Sequence, residues 1–161
     1  MKLSLERFAL IAEIVGGFAV IVSVIYLAYE VRQNTAATRS LTHHEIFDST
    51  LDVNQSIAND ADLADIFARS RTGYVELNEA EKFRLFLTFV NYFNMWDAAY
   101  TNHQNGLLET DAWNVWDAGM SWYMTEFESA REVWKLSQIF YKGSFQAHVN
   151  EILKAVEYLP Q

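Results

Sequence analysis

The sequence contains no cysteine and one proline, Pro160, which is its penultimate residue. Without cysteine the chain forms no disulfide bond and carries out no thiol chemistry, which fits either side of a membrane. With proline absent elsewhere, nothing in the chain stops or kinks a helix by the usual route. Glycine accounts for only 6 of the 161 residues, and no repeat or low-complexity linker appears. These absences favour one small domain rich in helices.

Basic charge is also scarce, particularly after the first quarter of the chain. The whole sequence carries 21 acidic and 12 basic residues, and from residue 40 onward 18 acidic and 8 basic residues remain, a net charge of −10. A field of this sign repels phosphate backbones and anionic lipid headgroups. Nucleic-acid binding and flat docking of the domain on a membrane are therefore not expected.

What the chain does have is a long apolar run near its start. No charged residue lies between Ile14 and Tyr29, and the 22 residues from Phe8 to Tyr29 contain only Glu13. As a helix, 22 residues span roughly 33 Å, enough to cross the hydrocarbon core of a bilayer. The run predicts a transmembrane anchor, which makes the lipid bilayer the first expected partner.

Two other interpretations of this run are weaker. A cleaved signal peptide has a basic start, as Lys2 and Arg7 provide, but its apolar stretch is shorter, and the only small-residue cleavage candidate, 35–37, lies far beyond the run. A buried helix of a soluble protein has one apolar stripe, whereas apolar residues here cover the whole circumference.

Helical periodicity continues through the remainder, and no segment alternates with the two-residue period of a strand. We expect the anchor helix to continue without a stop signal into a polar stem that ends near Ile57. Further helices are predicted from about 62 to 71, from 78 to 102, and from 110, 125 and 144 onward. The predicted fold is all-α: one transmembrane helix continuing into a stem, then a small antiparallel helical bundle. The predicted division is 1–39 for the anchor and start of the stem, and 40–161 for an acidic helical domain.

Capping residues mark several of these helix ends. Asn78 with Glu81 has the spacing of a capping box, and Thr125 with Glu128 repeats it. Thr110 is the expected cap of the helix that it precedes. Asn105-Gly106 is the expected break after the longest helix of the domain.

Apolar residues recur at helical spacing in the predicted helices. The weakly amphipathic stem carries Leu41, Phe47, Leu51 and Ile57, and the helices after it carry Phe83, Phe86, Leu87, Val90 and Phe93; Trp113, Trp116 and Met120; and Phe127, Val133, Trp134 and Ile139. In the last helix Phe145, His148, Val149, Ile152 and Leu153 are expected on the inner side.

Three stretches give the chain a family resemblance. They are Tyr26–Thr35 after the anchor, Gly106-Leu107-Leu108 with Trp113 downstream, and Ala130–Trp134 ahead of Phe145–Val149. In these the chain resembles a family of small uncharacterised bacterial proteins with one N-terminal transmembrane helix. The resemblance implies a shared fold and a cytoplasmic domain, and it transfers no catalytic residue.

Membrane orientation depends on basic residues beside the anchor. Lys2 and Arg7 precede it, and Arg32 and Arg39 follow it, so the two sides are balanced. With the family resemblance, we expect a single-pass protein of the bacterial inner membrane with its helical domain in the cytoplasm.

A metal site is the first candidate for chemistry. His44 and Asp48 are four residues apart and share a helix face, so they offer two ligands. A transition-metal site needs one or two more, which His103 or His148 would have to supply. Adjacent polar residues on an exposed helix are more often solvated, and no metal, cofactor or catalytic residue is predicted.

The aromatic residues are the second candidate. Of 24 aromatic residues, 16 lie between Phe83 and Phe145, including all five tryptophans. They predict either an apolar ligand pocket or, preferably, a core filled with large rings. Asp97 lies among them and is expected to be either a desolvated acid with a raised pKa or the partner of an arginine such as Arg131.

The third candidate is a face of small residues in the anchor. Alternating steps of four and three residues place six side chains on one side of the helix: Ala12, Gly16, Ala19, Ser23, Tyr26 and Glu30. The same spacing continues through Gln33, Ala37 and Ser40, and small residues let membrane helices approach closely.

These patterns predict a membrane-anchored, non-enzymatic accessory or scaffold protein that self-associates or joins a larger membrane complex. A membrane-tethered sensory or ligand-binding domain is the alternative, and a metalloenzyme comes third.

Overall fold

The computed structural model describes residues 5–157 of the chain, with side chains described for residues 7–156. Every regular element in this range is helical, and none of it is a β-strand, so the predicted all-α fold is confirmed. The chain forms two compact units, Met1–Ser40 and Leu41–Gln161. Lys2, used above to predict orientation, lies outside the described residues.

The first helix, α1, runs from Leu5 to Ala58 without interruption, as the absence of a stop signal predicted. It is long and apolar enough to cross a membrane, and none of the residues from 8 to 29 is buried.

Five more α-helices follow in the second unit. They are α2 (Ala61–Arg69), α3 (Glu79–Gln104), α4 (Thr110–Glu126), α5 (Glu128–Ser137) and α6 (Gly143–Glu157), with short 3-10 turns at Tyr74–Glu76 and Gln138–Phe140.

The helix ends test the capping predictions one by one. At the start of α3, Glu81 N donates to Asn78 Oδ1 over 3.0 Å and Asn78 N donates to Glu81 Oε2 over 2.9 Å, which completes the predicted capping box. The end of α3 is also as predicted, because Gly106 follows it with a φ of 71°, a conformation that favours glycine.

Two predicted caps are wrong. Thr110 is already the first residue of α4, and the residue before it, Glu109, forms no side-chain capping bond. Thr125 lies inside α4 and donates its hydroxyl hydrogen to Ser121 O, while Phe127 occupies the capping position of α5. A threonine hydroxyl bonds equally well to a carbonyl one turn back, which competes with capping.

The end of α1 packs antiparallel along α3. Asp60, just after α1, pairs with Arg84 near the start of α3, and farther back Asn54 accepts a hydrogen bond from Tyr92. In the stretch of α1 before Asn54, Ile46 is buried and Val53 is partly buried against the core. The stem is therefore an integral wall of the domain.

Of the four apolar stem residues named above, only Ile57 packs on the core. Leu41, Phe47 and Leu51 are exposed, Phe47 by 49% and Leu51 by 40%. The inner face of this helix is instead formed by Thr42, Ile46, Val53 and Ile57. The apolar content of this face is modest, and the sequence alone does not distinguish it from the side that carries Leu41, Phe47 and Leu51.

The long helix α3 forms the centre of the domain and packs on α2, α4 and α5. Its buried face contains Leu85, Thr88, Phe89, Tyr92, Phe93, Met95, Trp96 and Ala99. Of the predicted positions, Phe93 is buried and Phe86 and Val90 are partly buried, but Phe83 and Leu87 are exposed. A helix surrounded on several sides carries more than one apolar stripe, and the sequence alone does not separate them.

The remaining helices close the core with large rings. Trp134, Phe145 and Val149 are fully buried beside Met120 and Met124, in agreement with the predicted faces of α4, α5 and α6. Ile139 is the exception, because it lies exposed in the 3-10 turn after α5. Each fully buried large side chain stabilises the fold by about 1.5–3 kcal/mol relative to exposure.

Candidate functional site

The small-residue face of α1 is open throughout the first unit. All six predicted residues, Ala12, Gly16, Ala19, Ser23, Tyr26 and Glu30, are exposed. A Cβ added at Gly16 meets nothing within 4 Å. Ser23 donates its hydroxyl hydrogen to Ala19 O over 2.8 Å, so this polar group is satisfied inside the helix. A second helix is able to approach this face without leaving the hydroxyl unpaired.

In the second unit, α1 carries exposed residues at the same sequence spacing. After Ser40 the alternating steps of four and three lead to His44, Phe47 and Leu51, all of which are exposed. Phe47 and Leu51 lie on another side of the stem from Ile46 and Val53, because they are about 100–160° away from them around the helix axis. Phe47 and Leu51 are four residues apart, so they are neighbours on the surface of the helix and form a small exposed apolar strip.

The predicted metal pair does not acquire further ligands. His44 and Asp48 are both exposed, and in the described part of the chain no group of three or more His, Asp or Glu side chains is placed to hold a metal ion. The two histidines that would complete the site lie on either side of Trp113 instead, with ring centroids 5.4 Å from His103 and 5.5 Å from His148.

His148 has the more structured surroundings of these histidines. Its Nε2 lies 2.7 Å from Asp117 Oδ1, which joins α6 to α4, and its ring stacks on Tyr100 with centroids 5.3 Å apart. His103 Nδ1 lies 3.2 Å from Leu108 O in the connection between α3 and α4. Both histidines are thus held by packing and polar contacts within the domain.

Asp97 lies on α3 with one carboxylate oxygen, Oδ1, buried and without a hydrogen-bond partner. Burial raises the pKa of Asp97, and the positive charge of Lys142 opposes this rise. The predicted alternative partner, Arg131, donates to Met124 O and Thr125 O over 2.7 and 2.9 Å. Lys142, in the connection before α6, is therefore the cation that acts on this carboxylate.

The aromatic residues pack against one another in a continuous network. On one side Phe67, Phe89 and Tyr123 contact Tyr92, and Phe127 packs against those three rings. On the other side Trp134 and Tyr141 contact Phe93, and Phe145 packs against both of them. Burial raises the pKa of the Tyr141 hydroxyl to about 12. This packing matches the core interpretation of the aromatic residues rather than the pocket interpretation.

A groove that the sequence did not predict lies between the stem and α3, and we call it the α1–α3 groove. Its volume is about 450 Å³, and it is lined by Glu45, Ile46, Ser49, Asp52, Val53, Asn91, Asn94, Met95, Ala98 and Asn102. Its lining contains no aromatic residue. The sequence offers one signal, the seven-residue spacing of Glu45 and Asp52, which places both on one face of α1. That spacing indicates no groove unless the position of α3 is also known.

No family model, no curated protein and no solved structure matches this chain.

Proposed function

We propose that the chain is a membrane-anchored interaction protein whose first helix associates in parallel with the first helix of a second copy, while the acidic domain is presented to a soluble partner. It acts as an accessory or scaffold protein without an enzymatic site. The proposal places it in the bacterial inner membrane with the domain in the cytoplasm, and it includes kinship with the small single-span family described above.

The observation that carries this proposal is the exposure of Phe47 and Leu51. They fall in the same four-three spacing as Gly16, Ala19 and Ser23, and the core of the domain does not cover them. In a parallel pair of helices, residues with this spacing meet their own counterparts along one seam. Small residues then contribute close backbone packing in the lipid, and the stem contributes hydrophobic burial in water.

Cysteine crosslinking tests this arrangement directly, because the chain has no cysteine of its own. Single cysteines are introduced at positions 12, 16, 19, 23, 44, 47 and 51, and at the exposed positions 17, 24 and 45 as controls on other sides of the helix. The full-length protein is oxidised in native membranes. We expect disulfide-linked dimers at the first set and little at the second, with yields that rise and fall with a period near 3.5.

Equal yields around the helix, or dimers confined to the control positions, would remove self-association from the proposal. Crosslinks at positions 12–23 without crosslinks at 44–51 would restrict the contact to the anchor. A pull-down from native membranes with the same variants then identifies a larger complex where one exists.

A further inference from the structure

We propose that the α1–α3 groove binds a linear aliphatic di- or polyamine, with its ammonium groups at Glu45 and Asp52 and its methylene chain along the apolar floor. This site is independent of self-association, because it lies on the side of the stem that faces α3.

The size of the groove fits a small ligand. Its volume of about 450 Å³ lies within the range of small-molecule sites. The lining follows the antiparallel helices lengthwise, from residue 45 to 53 on α1 and from residue 91 to 102 on α3. An elongated cleft between two helices accommodates a chain more readily than a flat ring system.

The floor of the groove is apolar and the rim is not. Ile46 and Met95 are buried, and Val53 is partly buried, so the floor offers contacts to methylene groups. Ala98 adds a small side chain that leaves the space between the helices open. An inorganic cation has no apolar surface to bury against this floor.

The rim supplies the opposite charge. Glu45 and Asp52 form no ion pair with any residue of the described range, whereas Asp60, Asp65, Glu81 and Glu126 each pair with an arginine. They are two helical turns apart on one face of α1, which separates them by about 10 Å along the helix axis. Two ammonium groups joined by an extended chain of about eight atoms match this separation.

Amide groups complete the opposite wall. Asn94 Oδ1 accepts a hydrogen bond from the Tyr141 hydroxyl over 3.2 Å, and Asn102 Nδ2 donates to Ala98 O over 2.9 Å. The side-chain carbonyl oxygen of Asn102 remains an acceptor for an ammonium or secondary amine. The carboxylates and the amide carbonyl oxygen would bind the amine groups of a polyamine, and the apolar floor would contact the methylene groups between them.

Titration calorimetry of the full-length protein in an uncharged detergent with spermidine as the probe tests the proposal. A salt concentration near 0.15 M screens weak attraction between exposed charges. We expect saturable binding, weakened at least fivefold by Glu45→Gln and by Asp52→Asn. Asp48→Asn is the matched control, because it removes an equal charge from an exposed position between them on the same helix, and it should change the affinity less than twofold.

A variant that fills the groove and a change in the length of the ligand test the fit of the ligand separately from its charge. Ala98→Leu fills the groove without changing charge and should weaken spermidine binding. An eight-carbon linear diamine should bind more tightly than a four-carbon diamine, which is too short to reach both carboxylates.

Three results would overturn the proposal. Absence of heat at millimolar spermidine removes the site. Equal loss in Asp48→Asn means that only net charge attracts the amine. Binding of Mg²⁺ that depends on Glu45 and Asp52 and displaces spermidine assigns the groove to a divalent cation instead.

Discussion

Tyr92 on α3 donates its hydroxyl hydrogen to Asn54 Oδ1 on α1, with the two oxygens 2.6 Å apart. The Tyr123 hydroxyl donates in turn to the Tyr92 oxygen over 3.4 Å, so α4 joins the same chain of hydrogen bonds. Because burial raises the pKa of Tyr92, this hydroxyl stays protonated and able to donate far above neutral pH. The stem is thus fastened to the centre of the domain through a neutral, directional contact.

Tyr92→Phe should destabilise the domain by about 1 kcal/mol, the net value of a hydrogen bond whose other partner regains water. Urea unfolding of the full-length protein in mild detergent, followed by tryptophan fluorescence, measures the change. Asn54→Ala should cost a similar amount, and the double variant little more than either single variant. Fully additive losses would show that the two side chains stabilise the fold independently.

Asp97→Asn should stabilise the domain at neutral pH. The pKa of Asp97 is raised in the folded state, so the folded chain binds a proton more readily than the unfolded chain. Stability therefore falls as pH rises from the ordinary pKa of an aspartate, about 3.9, through the raised pKa, and the cost persists at pH 7. Asparagine removes the charge and with it this pH dependence.

Unfolding midpoints at pH 4, 5.5 and 7 test this expectation. The gain from Asp97→Asn should be largest at pH 7 and should shrink toward pH 4. Asp48→Asn, at an exposed position of α1, should show no such trend. A loss of stability at pH 7 would mean that attraction to Lys142 outweighs the burial of the carboxylate.

His148→Ala should destabilise the domain by about 1–3 kcal/mol, because it removes the contact with Asp117 and two ring contacts. His44→Ala is the matched control, since this exposed histidine contributes within about 0.5 kcal/mol. Thermal unfolding of both variants, with and without added Zn²⁺, gives the comparison. Stabilisation by Zn²⁺ that disappears in His44→Ala would revive the metal interpretation.

Local signals in the sequence predicted the helices well, and nonlocal packing decided the rest. The capping box of Asn78 and Glu81 and the break at Gly106 depend on residues a few positions apart, so they were predictable. The faces of α1 and α3 depend on which neighbour packs where. Phe83 and Phe47 are apolar at helical spacing and yet exposed, because Phe89 and Ile46 occupy the buried sides.

The candidate sites divide in the same way. The face from Ala12 to Glu30 belongs to one helix and is visible in the spacing alone. The raised pKa of Asp97 was one of two alternatives, and only the positions of Lys142 and Arg131 distinguish them. The α1–α3 groove joins residues about fifty positions apart and has no sequence signature.

The apolar length of α1 should hold the protein in membranes without help from electrostatics. We expect the full-length chain to stay in the pellet after washes with 1 M salt and with alkaline carbonate, and to keep its N-terminal residues. Recovery in the supernatant, or a mature form that begins after Ala37, would establish the signal-peptide alternative.

Gly16→Ile should weaken association of the first helices, whereas Gly17→Ile should leave it nearly unchanged. The two glycines are adjacent, both have open space around them, and both substitutions alter helix propensity equally. They differ by about 100° around the helix, so only Gly16 lies on the face with Ala12, Ala19 and Ser23. A branched side chain there would hold the two backbones apart.

The expected loss is about 1–2 kcal/mol, the scale of helix contacts in membranes, and every 1.4 kcal/mol shifts the association constant about tenfold. A two-hybrid reporter in bacterial membranes, with the expression of both variants matched, measures the shift. Because depth in the bilayer, residue type and the starting glycine are identical, a difference between the variants is attributable to the face of the helix. Equal effects of Gly16→Ile and Gly17→Ile would mean that the small residues of the anchor form no contact face, and the exposed Phe47 and Leu51 would then require a partner that meets the stem alone.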